Sequence, residues 1–256
     1  MLLQPLPAFT DNYIWTLRDS PAGAPVVVDP GDAAPVLAWA DGLGVVPAAL
    51  LLTHHHPDHV GGAAALLERW PGLAVFAPED ARIGVPCRRV GGGDVVEAGP
   101  WRFEVLEVPG HTSSHIAFHG HGLLFCGDTL FSLGCGRMFE GTPAQMLASL
   151  DRLAALPPDT RVCCGHEYTL ANAAFAAAVD PDNPALRRRT EEARAMRDRD
   201  QPTLPATLAG ECAANPFLRV DAPAVRDAVA ARLGRAPAGR VESFAELRRW
   251  KDGFAA

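Results

Sequence analysis

Five side chains able to bind a metal stand within six residues at His54-His55-His56-Pro57-Asp58-His59. In extended backbone alternate side chains share a face, so His54 and His56 point together and His55 points away. Pro57 lacks an amide proton and presets a helical φ, so it turns the chain and opens a helix. Asp58 and His59 then project from the first turn beside the histidine pair. Two donor pairs result, each able to hold its own cation. Imidazole nitrogens and carboxylate oxygens suit zinc, iron or manganese.

Three later residues complete the set. His111, Asp128 and His166 each end a strand-like run and each follow a glycine, where a sharp turn presents a side chain at a sheet edge. Alone, each is more often a turn former or a structural group than a ligand. The cluster at 54–59 changes that weighing, because a random chain rarely assembles it. His54, His56 and His111 are expected to hold one ion and Asp58, His59 and His166 the other, with Asp128 bridging. Each ion then keeps an open place for water. His115 is expected to orient a ligand through a hydrogen bond, and His55, His119 and His121 have no ligand role.

Two such cations make hydroxide available near neutral pH, because metal binding lowers the pKa of water to about 7. A bridging hydroxide attacks a carbonyl whose developing oxyanion the pair stabilises, with Asp58 and Asp128 the catalytic carboxylates. No serine or cysteine nucleophile is needed. An ester, thioester, lactam or phosphodiester are all open to this chemistry. A thiolate, with a pKa of about 8.5, leaves without a proton, whereas an amine must be protonated.

The elements that position these residues read as follows. Asn12 to Leu17, Pro25 to Asp29, Ala48 to Thr53, Ala74 to Ala77, Trp101 to Val108, His115 to His119, Leu123 to Cys126 and Arg161 to Cys164 are expected strands. Asp29-Pro30-Gly31 reads as a turn. Helices are expected over Ala33 to Ala40, from Pro57 to about Trp70, and from a capping box at Thr142-Pro143-Ala144-Gln145 to near Pro157. After Glu167 helical runs take over: Asn183-Pro184 opens a polar helix whose Arg187, Arg188 and Arg189 form a solvated face. Asp221 opens another, and Ser243-Phe244-Ala245-Glu246 reads as a capping box for the last. An α/β domain, residues 1–166, followed by a smaller helical domain, residues 167–256, is the natural partition.

A chain of 256 residues with a net charge of −7 has the length for a full core, and the acidic balance argues against general nucleic-acid or anionic-membrane binding. No signal peptide and no membrane-length apolar run is evident. The six cysteines form no CxxC pair and fit reduced thiols in a cytoplasmic protein.

Thr53-His54-His55-His56-Pro57-Asp58-His59 with the later His, Asp and His resembles the metallo-β-lactamase superfamily. Finer segments narrow the resemblance to glyoxalase II, the hydroxyacylglutathione hydrolases. They are Phe9-Thr10-Asp11-Asn12-Tyr13, Gly127-Asp128-Thr129-Leu130-Phe131, the stretch from Gly134 to Thr142, and Cys164-Gly165-His166-Glu167-Tyr168-Thr169. Asp182 to Leu186, Asn215 to Arg219 and Leu247 to Asp252 extend it over the whole chain. The resemblance implies an αββα sandwich followed by a smaller α-helical domain. It implies two divalent ions, zinc first and iron or manganese as options, on the ligands already named. It also implies hydrolysis of S-D-lactoylglutathione to D-lactate and glutathione, the second step of methylglyoxal detoxification.

The implied glutathione site is Arg137, Phe139, Tyr168, Arg248 and Lys251, with Arg248 and Lys251 three apart on the last helix and so able to meet the carboxylates of the tripeptide. The expected partner is this small thioester, with no nucleic acid or membrane, and the expected state is a monomer. Phe139 stands where relatives have tyrosine, and Ser114 where the family often has glycine; both bear on substrate affinity and not on the ligands. The rivals are a mononuclear-iron persulfide dioxygenase, a lactonase, or a binding protein on a dead hydrolase fold.

Overall fold

Short runs of branched aliphatic residues build the middle of one sheet. In the computed structural model, which describes residues 1–254, strands β1 (Leu2–Ala8), β2 (Asn12–Arg18) and β3 (Val26–Val28) are followed by α1 (Ala33–Leu43) and β4 (Ala49–Leu51). Next come α2 (Pro57–Val60), α3 (Ala63–Arg69), β5 (Ala74–Ala77) and β6 (Arg88–Arg89). The six strands lie side by side in chain order. The β1–β2 and β2–β3 pairs are antiparallel, whereas β3 to β6 run parallel. Parallel strands are covered on both faces, which is why β3 (VVV) and β4 (ALL) are apolar throughout and fully buried. Val36, Ala40, Ala63 and Leu66 of α1 and α3 pack on this sheet with Val27 and Leu50. The fully buried valine and leucine side chains among them each contribute about 1.5–3 kcal/mol.

The second sheet shows the opposite pattern. Strands β7 (Val95–Ala98), β8 (Trp101–Glu107), β9 (Ile116–Gly120) and β10 (Leu123–Gly127) form an antiparallel meander. In β8, Trp101, Phe103 and Val105 are buried while Arg102 and Glu104 face water, the alternation of a sheet with one wet face. Trp15 of β2 is buried, and its indole donates to the Cys164 carbonyl at 2.9 Å, joining the first sheet to the strand beside β10.

The remainder consists of the β11 (Leu130–Phe131) and β12 (Gly134–Cys135) hairpin, α4 (Pro143–Ala154), β13 (Arg161–Cys164), α5 (Thr169–Val179) and α6 (Pro184–Arg197). Then follow β14 (Ala206–Thr207), α7 (Leu208–Ala214), α8 (Pro223–Leu233) and α9 (Arg240–Asp252). Two compact units emerge. One comprises Met1–Glu107, Ser114–Gly127 and Cys163–Glu167; the other comprises Val108–Ser113, Asp128–Val162 and the chain from Tyr168 onward. Among the described residues, no helix is long and apolar enough to cross a membrane.

The expected strands all form, and the Thr142 capping box is present with both of its hydrogen bonds. Four expectations need correction. The helix at Pro57 is interrupted by Gly61-Gly62, glycine being a poor helix residue. The helix placed at Asp221 starts at Pro223, with Ala222 as its cap. Ser243 caps nothing: the last helix begins at Arg240 after Gly239, so Ser243 lies inside it and is buried. Arg189 is not part of a solvated face, because its guanidinium donates to the Thr203 carbonyl at 2.6 Å. In addition, β1 escaped notice because Pro5 and Pro7 break its pattern; the sheet tolerates them because β1 is an edge strand.

Candidate metal centre

The segment after β4 delivers the histidine cluster, and a buried carboxylate after β3 holds it. Asp29 takes a left-handed φ of 52° and accepts from the Thr53 amide at 2.8 Å and the Thr53 hydroxyl at 2.7 Å. The same carboxylate meets His59 Nδ1 at 3.0 Å. His166 is held in the same way, its Nδ1 lying 2.7 Å from Asp11 Oδ1. Because each carboxylate accepts a hydrogen bond from an Nδ1–H, both rings turn the Nε2 lone pair inward, and the two Nε2 atoms sit 3.3 Å apart. Asp58 Oδ2 completes the group at 3.5 Å from His59 and 3.4 Å from His166, steadied by a 3.0 Å bond from the Asn12 amide. Two imine nitrogens and a carboxylate aimed at one point form a donor set that a divalent cation fits.

His54 and His56 do face each other, with 3.1 Å between His54 Nε2 and His56 Nδ1, and Thr53 Oγ1 lies 3.0 Å from His54 Nδ1. His115 stacks on the His54 ring at 4.5 Å between centroids, so it supports that ring by packing. Asp29, His54 and His59 also have ligand atoms within 4.8 Å of one another. Both Asp29 oxygens already serve Thr53 and His59, however, so Asp29 acts as a buttress. His55 turns away, as alternation requires, and its Nδ1 lies 3.3 Å from Asp80. Asp80 in turn takes both Arg82 nitrogens at 2.8 Å and the Ser114 hydroxyl at 2.6 Å. Arg82 beside it, aided by Ser114, holds the Asp80 carboxyl well below the usual carboxylate range.

The second unit holds the other pair. His111 Nε2 is 3.4 Å from Asp128 Oδ2, and its Nδ1 is 2.8 Å from the Arg137 carbonyl. Asp128 follows Gly127, whose φ of +46° favours glycine and where an added Cβ would lie 2.3 Å from the Thr53 hydroxyl oxygen. Phe139 is exposed, its ring standing edge-on to His111 at 5.2 Å.

The basic residues of the last helix are less open than their spacing promises. Arg248 is 3% exposed; it donates to the Cys135 carbonyl at 2.8 Å, pairs with Asp252 at 3.0 Å and lies over the Phe217 ring. Lys251 donates to the Ala171 carbonyl at 3.1 Å. Burial first, then the neighbouring Arg248 and Arg137, push the Lys251 pKa below its ordinary value. Arg137 is exposed with Asp252 at 3.5 Å, and Tyr168 rests on Phe131 at 5.2 Å between ring centroids. Among the cysteines, burial pushes the Cys135 thiol up to about 11, which leaves no thiolate nucleophile there at neutral pH.

The reading from residue types missed Asp11, Asp29 and Asn12. Each stands in a turn or at a strand start, where Asp and Asn are ordinary; the segment of family likeness at 9–13 marks Asp11 and Asn12 but not their partners, which only the contacts reveal.

Comparison with known proteins agrees with this chemistry. A family model described as the metallo-beta-lactamase superfamily matches residues 13–166, and one described as hydroxyacylglutathione hydrolase C-terminus matches residues 167–254. A hydroxyacylglutathione hydrolase of Xylella fastidiosa (strain M23) is 59% identical over 99% of this chain and 98% of that protein. A crystal structure of ETHE1 from Myxococcus xanthus has a TM-score of 0.65 at 24% identity, covering 99% of this chain and 91% of that one, a likeness of fold alone. A crystal structure of TTHA1623 in a di-iron-bound form is 32% identical, with a TM-score of 0.55 over 65% of this chain and 92% of that one. The fold is thus a metallo-β-lactamase domain followed by a helical one, and the histidine and aspartate clusters are sites for divalent metal. The chain belongs to the hydroxyacylglutathione hydrolases, the glyoxalase II thioester hydrolases of the metallo-β-lactamase superfamily.

Proposed function

We propose that the enzyme hydrolyses S-D-lactoylglutathione to D-lactate and glutathione, the second step of methylglyoxal detoxification, with two divalent ions, zinc foremost. His54, His56 and His111 would hold one ion, Asp58, His59 and His166 the other, with Asp128 shared between them. The observation that carries this reading is the pair of carboxylate-backed imidazoles, Asp29–His59 at 3.0 Å and Asp11–His166 at 2.7 Å, turned on Asp58. Bound ions supply Lewis acidity toward the thioester carbonyl and lower the pKa of water.

The protein's own groups do the rest. Asp58, steadied by Asn12, and Asp128 would be the carboxylates that take up the proton as water attacks. Water adds to the carbonyl carbon, the C–S bond breaks, and glutathione leaves as its thiolate, which needs no proton at neutral pH. Arg137, Phe139, Tyr168, Arg248 and Lys251 would bind the glutathione part. Arg137 and Lys251 would meet its carboxylates, with Arg248 holding the Cys135 and Asp252 groups beside them. Residues 1–166 would then carry the chemistry and residues 167–256 the glutathione recognition, in a cytoplasmic monomer.

Assay of S-D-lactoylglutathione hydrolysis with metal quantification tests this reading. About two metals per chain with turnover is the expected result. A single redox-active iron and oxygen uptake with glutathione persulfide would replace it with the dioxygenase reading.

A further inference from the structure

The β11–β12 hairpin is bound by buried polar groups to a degree its length does not explain. Its turn is Ser132-Leu133, and Leu133 adopts a φ of 59°, a left-handed conformation unfavourable for a bulky L-residue. Glu211 of α7, 1% exposed, holds that turn. One carboxylate oxygen accepts from the Ser132 hydroxyl at 2.7 Å, and the other accepts from the Leu133 amide at 2.7 Å. The Asn215 amide donates to the carbonyls of Phe131 at 3.1 Å and Gly134 at 2.9 Å, and Asn172 donates to the Ser132 carbonyl at 3.0 Å.

What the hairpin carries at its two ends gives this hold a purpose. Asp128 stands just before it and Arg137 just after it. The His111 ring sits between the two, with the Arg137 carbonyl 2.8 Å from Nδ1 and the Asp128 carboxylate 3.4 Å from Nε2. The two ends are pressed together at Gly136, where an added Cβ would lie 1.9 Å from the Asp128 carbonyl oxygen. A shift of the turn therefore moves both groups that define the His111 orientation.

We propose that Glu211 is a positioning residue of the metal centre, fixing Asp128 and His111 through Ser132, Leu133 and the hairpin. The proposal rests on the reading of His111 and Asp128 as ligands. Its structural rival is that Glu211 merely stabilises the packing of α7.

The test uses the full-length, metal-loaded protein, with turnover per metal-loaded molecule and the rate of metal release to a chelator as readouts. Glu211→Ala should lower kcat and speed metal release, each about tenfold. Glu211→Gln should recover most of both, because a glutamine offers an oxygen to the Leu133 amide and an NH₂ to the Ser132 oxygen. Wild-type kcat and release rate in Glu211→Ala, whatever its thermal midpoint, overturn the proposal. So does a Glu211→Gln variant as impaired as Glu211→Ala. If Glu211→Ala does not fold, Ser132→Ala decides: metal release about threefold faster supports the proposal, and an unchanged rate overturns it. Failure of the ligand reading itself shows separately, as an Asp128→Ala variant that keeps its metal and its activity.

Discussion

The two regions that supply the metal-binding side chains hold their histidines by different means. In the first unit, carboxylates back the imidazoles: Asp29 behind His59 and Asp11 behind His166. In the second, His111 is backed by the main-chain carbonyl of Arg137, and that carbonyl is set by a hairpin whose turn is held from α7. A carboxylate raises the basicity of the ring it backs and tolerates some motion, since its charge acts at a distance. A neutral carbonyl depends on placement alone. The first arrangement buys affinity from charge; the second relies on a rigid scaffold. Orientation in the second unit is therefore spread over residues far away in sequence, whereas in the first it rests on single side chains.

Substitutions in each region test this contrast. Asp128→Ala has the largest expected effect, because it removes the carboxylate proposed to be shared by the two ions and not merely a support. Turnover should fall by about three orders of magnitude and bound metal should drop; a fully active, metal-replete variant would remove Asp128 from the centre. Asp29→Asn comes next. The amide presents an N–H to His59 Nδ1, which forces the proton onto Nε2 and spoils it as a ligand. Competition with a chelating dye should show metal affinity reduced about 10- to 100-fold. Wild-type affinity would mean that charge backing does not distinguish the two regions.

Lys251→Ala should act on binding only, raising KM about tenfold with kcat within about twofold, because its proposed contact is with a part of the substrate remote from the thioester. The lowered Lys251 pKa gives this a pH signature. The lysine is cationic below its folded pKa and neutral above it. Binding of an anionic, non-hydrolysable glutathione conjugate should therefore weaken as the pH rises toward lysine's ordinary value of about 10.4, and begin to do so below it. The Lys251→Ala variant should lack that alkaline limb. Ser114→Gly has the smallest expected effect. It removes one bond to Asp80, which Arg82 still holds, so urea denaturation should show a loss of about 1 kcal/mol with kinetic constants little changed.

The histidine cluster was legible in the sequence because its residue types are chemically rare and locally spaced: alternation alone puts His54 beside His56 and sends His55 elsewhere. The supports were not, because their signal is a contact between distant residues. Asp29 reads as a turn former in Asp29-Pro30-Gly31, and Asp11 enters only as part of the segment of family likeness at 9–13, with nothing to name His166 as its partner. Glu211 lies in a short helix that the residue pattern did not reveal, facing a hairpin of two-residue strands too brief to show a period. Ser243 misled for the converse reason. Its spacing to Glu246 matches a capping box, yet the same spacing occurs within a helix, and the true start lies at Gly239. Arg248 and Lys251 do fall on one helix, but spacing could not show that Arg248 is buried against Cys135 and Phe217.

Anomalous diffraction from crystals of the metal-loaded enzyme, collected at the absorption edge of the bound metal, tests the two-ion centre most directly. Two peaks about 3.5–4 Å apart are expected, one bounded by His54, His56 and His111, the other by Asp58, His59 and His166, with Asp128 touching both. One peak, or a pair that leaves His111 and Asp128 without metal, would contradict it.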